Sequence, residues 1–316
     1  MVQELTHESV LQEEVLQGLA IKENGLYLDA TFGRGGHARL ILERLGEKGR
    51  LIAFDQDPEA IRVAQRDFCP DPRFQIIHGN FSELQSLLAA ESIDERFDGI
   101  FMDLGVSSPQ LDDAERGFSF MRSGPLDMRM NPLVGESAAQ WLARAEANEI
   151  ADVLWQYGEE RLSRRIAKAI VMDRQQQPFT TTKQLATLLT KILPRDKHKH
   201  PATRTFQAIR IHINRELESL ETVLKQIPEL LKPQGRMAII SFHSLEDRMV
   251  KRFIRSCARP PAASHQHRRL PRGLLLEAVD FQATLKNVGK AIFASDEEKS
   301  GNLRSRSAVL RVAERV

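Results

Sequence analysis

Apolar residues along this chain follow two alternating rhythms. Short apolar runs stand at 25–28, 50–55, 74–78, 97–103 and 235–244, each of a length suited to a buried strand. Between them the period lengthens. Ala38, Ile41, Leu42 and Leu45 recur at helical spacing after the first run. Leu11, Val15, Leu16 and Leu19 line one face of a helix predicted over 9–20, with Ser9 as its N-cap. Strands alternating with helices predict an α/β fold with a doubly wound parallel sheet.

The rhythm breaks at Leu111. From there to Met130 aromatics, methionines, arginines and glycines mix without a period. A solvent loop seldom carries so many apolar side chains, so this segment is expected to be an ordered flap over a ligand crevice. Residues 137–172 read as helices that bury Trp141, Leu142, Ile150, Val153, Leu154, Ile166, Ile170 and Val171. Another helix opens at 180–183 and ends at Pro194, and a long one is predicted from about 205 through 231. No strand-like alternation appears between 137 and 193. The expected division is therefore a discontinuous α/β domain, 1–110 and 206–316, interrupted by an inserted all-helical domain over 111–205. Two closing strand-like pieces, near 291–293 and 307–312, are expected as an antiparallel pair at the sheet edge, joined by a loop at 296–302.

Composition narrows the class. The 316 residues are 41% apolar with a net charge of +2, so any basic partner surface must be local. Cys69 and Cys257 lack metal-ligand spacing and read as free thiols. Met1-Val2-Gln3-Glu4-Leu5 lacks the pattern of a secretory signal, and no apolar run approaches ~20 residues. A cytoplasmic protein with no membrane span is expected. His198, His200 and His212 invite a metal site, but no cysteine or clustered carboxylate completes one, so no metal is expected. Three stretches are markedly basic: Arg161, Arg164, Arg165 and Lys168, the loop 195–204, and the acid-free stretch 251–273. The first suits a solvated helix face and the other two phosphate contacts.

The candidate chemistry sits at the ends of the runs. Gly33, Gly35 and Gly36 permit a tight turn and close backbone approach to a ligand after the first strand. Asp55 ends the second strand, where such folds place a carboxylate for ribose hydroxyls; the alternative, capping the next helix, can fall to Asp57. Phe81 follows the third strand and can cover a purine or pack in the core. Asp103 ends the fourth strand and leads into Ser107-Ser108-Pro109-Gln110, a carboxylate and hydroxyl-rich turn. His243 and Ser244 end the fifth, with Ser244 and Asp247 outlining a capping box. A dinucleotide and S-adenosylmethionine both suit a glycine turn with a strand-end acid. The nicotinamide fingerprint needs its last glycine later than Gly36, and the hydroxyl turn favours S-adenosylmethionine.

These motifs closely resemble the bacterial MraW family of ribosomal RNA methyltransferases. The resemblance is carried by His7-Glu8-Ser9-Val10-Leu11, Asp29-Ala30-Thr31-Phe32-Gly33-Arg34-Gly35-Gly36-His37, Asp103-Leu104-Gly105-Val106-Ser107-Ser108-Pro109-Gln110-Leu111-Asp112, Gly117-Phe118-Ser119-Phe120, Pro125-Leu126-Asp127-Met128-Arg129-Met130 and Ser241-Phe242-His243-Ser244-Leu245-Glu246-Asp247-Arg248. It implies a Rossmann-like S-adenosylmethionine-dependent methyltransferase sheet with an inserted helical substrate-recognition domain. It also implies methyl transfer to the exocyclic N4 of a cytidine in the decoding region of small-subunit RNA. The implied partner is that RNA or the 30S subunit; a homodimer is left open. By resemblance the cofactor contacts fall on Gly35, Gly36, His37, Asp55, Phe81, Asp103 and Gln110, to which the turn itself adds Gly33.

A cytosine amine is a weak nucleophile because its lone pair is delocalised into the ring. The enzyme must hold its N–H groups with acceptors and align the nitrogen at near-attack distance, ~3–3.5 Å. Asp103, Ser107, Ser108 and Pro109 are the candidates for that task, and Asp103 is read first as a contact to the cofactor's methionine ammonium. The turn offers no aromatic ring for the base, so Phe118 and Phe120 are the candidates. Two other readings stand beside this one: a nicotinamide-dependent oxidoreductase, and a non-catalytic RNA-binding assembly factor.

Overall fold

The five apolar runs become five parallel strands, β1 (Leu26–Asp29), β2 (Arg50–Asp55), β3 (Phe74–His78), β4 (Phe97–Asp103) and β5 (Leu231–Ser241). The computed structural model describes residues 9–194, 200–260 and 281–316. The strands lie in the order β3-β2-β1-β4-β5. The chain runs outward from β1 and then returns to β4 on its other side. That reversal is the switch point of a doubly wound sheet, and ligands bind outside the carboxyl ends of the strands there. Asp29 and Asp103 end the two strands that flank it.

The chain divides into two compact units, one made of Met1–Asp55, Ala60–Leu104 and Leu220–Val316, the other of Gln56–Glu59 and Gly105–Ser219. In the first, side chains of one parity along the strands (Tyr27, Leu51, Phe101, Ile240) pack with α1 (Gln12–Leu19), α2 (Gly36–Arg44) and α3 (Pro58–Asp67). Those of the other parity (Leu28, Ile52, Phe54, Ile100, Met102, Ile239) pack with α4 (Leu84–Ala90), α11 (Glu216–Leu230) and α12 (Ser244–Ala258). Burial on both faces is why these strands read as continuous apolar runs.

Several expectations change at this level. The first helix starts at Gln12, after Leu11 in a left-handed conformation, so Ser9 is not its N-cap. The fifth strand starts earlier than its apolar run, at Leu231, and residues 232–235 form a bulge within it, where Phe97 pairs with Leu231 and Gly99 with Arg236. The two closing pieces are β7 (Ile292–Phe293) and β8 (Val309–Arg315), antiparallel as expected. However, β8 lies inside the sheet, between β5 and an unanticipated edge strand, β6 (Leu285–Asn287). With β5 buried on both faces, its outer backbone groups need a partner, and β8 supplies it. The expected 296–302 loop is largely a helix, α13 (Asp296–Gly301).

The second unit is helical: α5 (Ser108–Asp112), α6 (Ala138–Arg144), α7 (Ala147–Gly158), α8 (Ser163–Arg174), α9 (Thr182–Ile192) and α10 (Thr203–Ile213). Its core is centred on fully buried Trp141, whose indole N–H donates to Glu149 at 2.7 Å. The aperiodic 111–130 segment is ordered because Phe118, Leu126, Met128 and Met130 belong to this core. Here the expected long helix at 205–231 breaks in two. Asn214 donates to the Met128 carbonyl and accepts from the Met130 N–H, both at 2.7 Å, and Arg215 turns left-handed. The break assigns α10 to the helical core through Phe206, Ala208 and Ile209. By its contacts the second unit takes Gly105–Ser219 together with Gln56–Glu59.

Both cysteines are free. Among the described residues no helix is long and apolar enough to cross a membrane. His198 and the basic residues at 261–273 lie outside the described residues. His200 stacks on Phe120 and His212 lies tilted against Trp141, each with ring centroids 4.5 Å apart.

Candidate active site

The glycine turn after β1 stays stitched to its neighbours. Ala30 N–H donates to the Phe101 carbonyl and Phe32 N–H to the Phe54 carbonyl, both at 2.9 Å. Gly33 and Gly35 adopt φ of 59° and 79°, which only glycine takes without strain. A Cβ on Gly35 would also strike the Phe68 ring, and one on Gly36 would strike Ser9 Oγ. Ser9, expected as a cap, therefore packs against the glycine that opens α2. No side chain caps α2, whose N-cap is Gly35. Such a helix start offers backbone N–H donors to a ligand.

Two strand-end acids brace this turn. Asp55 Oδ2 accepts from Gly33 N–H at 2.7 Å, and Asp29 Oδ1 accepts from Thr31 N–H at 3.0 Å. Thr31 Oγ1 in turn accepts from Asp103 N–H at 2.6 Å. Asp103 Oδ1 is buried without a partner among the described residues. Burial, then the nearby carboxylates Asp29 and Glu246, push the Asp103 pKa up to about 8. Burial raises Asp29 to about 7, with Asp55 adding to it. His37 Nε2 stands 3.9 Å from Asp103 Oδ2, too far for a hydrogen bond. Burial lowers the His37 pKa to about 4, so the ring is neutral at pH 7 and no ion pair forms. His37 packs on Phe101, with ring centroids 4.5 Å apart.

The fifth strand adds groups that sequence reasoning did not assign. The capping box expected at Ser244 and Asp247 sits one residue earlier: His243 is the N-cap of α12, and Glu246 takes the third position. Glu246 Oε2 accepts from Phe242 N–H at 2.9 Å, which holds the buried carboxylate beneath the strand end. Glutamate is the better closing residue for the box, and Asp247 instead pairs with Arg311 at 2.6 Å. The missed signal was local: a buried acid three positions after a strand-end histidine.

Phe81 is half-buried, packed against the sheet core in a 3-10 turn capped by Asn80. Ser107, Ser108, Pro109 and Gln110 open α5 in the second unit, four positions on from Asp103 in the chain. Gln110 is buried and its amide is engaged at both ends. Its Oε1 accepts from Ser107 N–H at 2.9 Å and its Nε2 donates to Asp57 Oδ2 at 2.8 Å. Arg116 donates to the same Asp57 oxygen at 2.8 Å and to the Met130 carbonyl at 2.8 Å. Asp57 Oδ1 accepts from Glu59 N–H at 3.0 Å, so Asp57 caps the helix as expected and also anchors α5. Phe118 is buried in the helical core, which removes it as a ring for stacking a base. Phe120 is half-buried against His200 and Phe206.

The raised carboxyls have a measurable consequence. Folded Asp103 and Asp29 hold protons that the unfolded chain has released above its ordinary carboxyl pKa of 3.8, so their contribution lowers stability as pH rises toward 8. His37 acts oppositely, but only between about 4 and its ordinary 6.5. The unliganded protein is therefore expected to lose unfolding free energy between pH 6.5 and 8. Urea unfolding at several pH values checks this, and a flat or rising profile over that window would count against the cluster.

A family model described as the MraW methylase family matches residues 4–316. This chain belongs to the MraW methylase family. The MraW match takes in both units, and membership sets aside the nicotinamide oxidoreductase reading. Among curated relatives, a protein of Stenotrophomonas maltophilia is 60% identical over 310 residues, covering 98% of this chain and 93% of its own. One of Idiomarina loihiensis is 57% identical over 313 residues, covering 98% and 97%. One of Shewanella oneidensis is 54% identical over 319 residues, covering 100% and 99%. Each of the three is named ribosomal RNA small subunit methyltransferase H.

Proposed function

We propose that this MraW-family chain transfers a methyl group from S-adenosylmethionine to the exocyclic N4 of a cytidine in the decoding region of small-subunit ribosomal RNA. The names of relatives at 54–60% identity support the RNA substrate. The observation that carries the cofactor is Asp103 Oδ1, unpartnered among the described residues, beside Asp29, both carboxyls being raised chiefly by burial. Such a group suits a cationic ligand beside a glycine turn that excludes side chains, and the residues fit S-adenosylmethionine.

When bound, the cofactor supplies an electrophilic methyl group on a positively charged sulfur. Gly33, Gly35 and Gly36 give its methionine end room along the backbone. Asp103 accepts from the ammonium group, and Asp55, at the end of β2, takes the ribose hydroxyls while bracing Gly33. Neutral His37 walls the site without adding charge, and Phe81 lies against the adenine. Ser107, Ser108 and Pro109 present hydroxyl and backbone acceptors to the cytosine amine. Gln110 is a positioning residue, because its amide fixes the start of α5 to Asp57.

Mass spectrometry of small-subunit RNA from cells with and without the gene tests the reading. Loss of N4-methylcytidine from the gene-less strain is expected. An unchanged N4-methylcytidine signal would sink the proposal, and RNA binding without any transferred methyl would turn it to an assembly factor.

A further inference from the structure

We propose that the outer face of α12 is a docking surface for the phosphate backbone of an RNA strand; the choice of RNA rests on the function proposed above. Lys251, Arg252, Arg255 and Arg259 are all exposed, and none has a side-chain hydrogen bond or ion pair among the described residues. At 100° per residue the first three fall within about a third of the helix circumference. Arg259, at the C-cap, extends the row. The opposite side is buried through Glu246, Val250 and Ile254. The two acids of the helix itself do not neutralise this face: Glu246 is buried, and Asp247 is bound to Arg311.

A chain with a net charge of only +2 thus concentrates unneutralised cations on one helix. That helix begins at His243, at the carboxyl end of β5, where the candidate site lies. The chemistry of the face selects its partner. A lipid surface would require large apolar residues beside the cations, and the one aromatic on the helix, Phe253, packs against the sheet core. A protein partner would favour a desolvated apolar centre, which this face lacks. Three of the four cations are arginines, whose planar forks match phosphate oxygens.

The test uses the full chain and a transcript of small-subunit RNA, with affinity followed by fluorescence anisotropy between about 50 and 200 mM salt. In the triple variant Arg252→Gln/Arg255→Gln/Arg259→Gln, glutamine keeps the helix propensity. The magnitude of the log-affinity against log-salt slope is expected to fall by about 2, at ~0.7 per single-strand phosphate contact. Affinity at the lowest salt should drop at least about tenfold, with S-adenosylmethionine affinity unchanged as proof of folding. An unchanged slope overturns the proposal. So does intact RNA binding accompanied by lost binding to phosphatidylserine vesicles, which would assign the face to lipid. The two proposals fail separately. A wild-type protein that binds the transcript steeply but transfers no methyl group breaks the reading of the site, whereas normal methylation with an unchanged variant slope breaks only the surface.

Discussion

Asp103→Ala is expected to weaken S-adenosylmethionine binding by about 10- to 100-fold, the loss of one hydrogen bond between charged partners at about 1.5–3 kcal/mol. Calorimetric titration measures it directly. The same variant should be more stable than the parent at pH 8. Asp103 Oδ1 has no partner among the described residues, and burial with Asp29 and Glu246 holds its pKa near 8, so removing the carboxyl relieves a repulsion that a cationic ligand otherwise offsets. Weaker binding with a higher unfolding midpoint would mark a group kept for the ligand at the expense of the fold. Asp103→Asn separates charge from shape and should recover little affinity. Unchanged affinity with lost turnover would move Asp103 to the methyl acceptor.

Arg116→Ala is expected to destabilise the helical unit by about 1.5–3 kcal/mol, the cost of removing a charged hydrogen-bond donor from a buried carboxylate that keeps Gln110 and Glu59. Asp57 is 3% exposed, and Arg116 spans it and the Met130 carbonyl with two arms of one guanidinium. Lysine at 116 should restore little, because a single ammonium cannot reproduce that fork. Urea unfolding followed by Trp fluorescence reads the change, since Trp141 and Trp155 both lie in this unit. Replacing Asp57 by Asn in the Arg116→Ala background should recover part of the loss. A single-variant cost below about 1 kcal/mol would mean that the pair behaves like an exposed ion pair.

The parts of the fold that sequence reasoning recovered are those set by local patterns. β1 to β5 were legible because burial on both faces writes an unbroken apolar run. The places of Asp55 and Asp103 at strand ends were legible because each acid closes an apolar run. What escaped depends on partners distant in sequence. Nothing around Asn214 announces a break; it forms because that amide meets backbone groups of Met128 and Met130. The place of β8 is decided by the exposed edge of β5 and not by its own pattern. Gln110 reads locally as one more polar residue of a turn, and its amide is spent only because Asp57 lies beside it in space. His243 and Glu246 show a subtler failure, since two overlapping capping boxes were written in the same letters and burial of Glu246 chose between them.

The pairing of β4 with β5 bears on how the chain is made. These central strands are hydrogen-bonded neighbours, Asp103 opposite Ile240, yet Gly105–Ser219, all but four residues of the helical unit, is synthesised between them. On a ribosome, β1 to β4 emerge first and β4 must wait with an open edge, the kind of edge that recruits wrong partners. Closing so long a loop adds only a logarithmic entropic cost, so the danger is the waiting time more than the equilibrium. A helical insert that nucleates through its own local contacts folds quickly, which shortens the interval before β5 arrives to close the sheet.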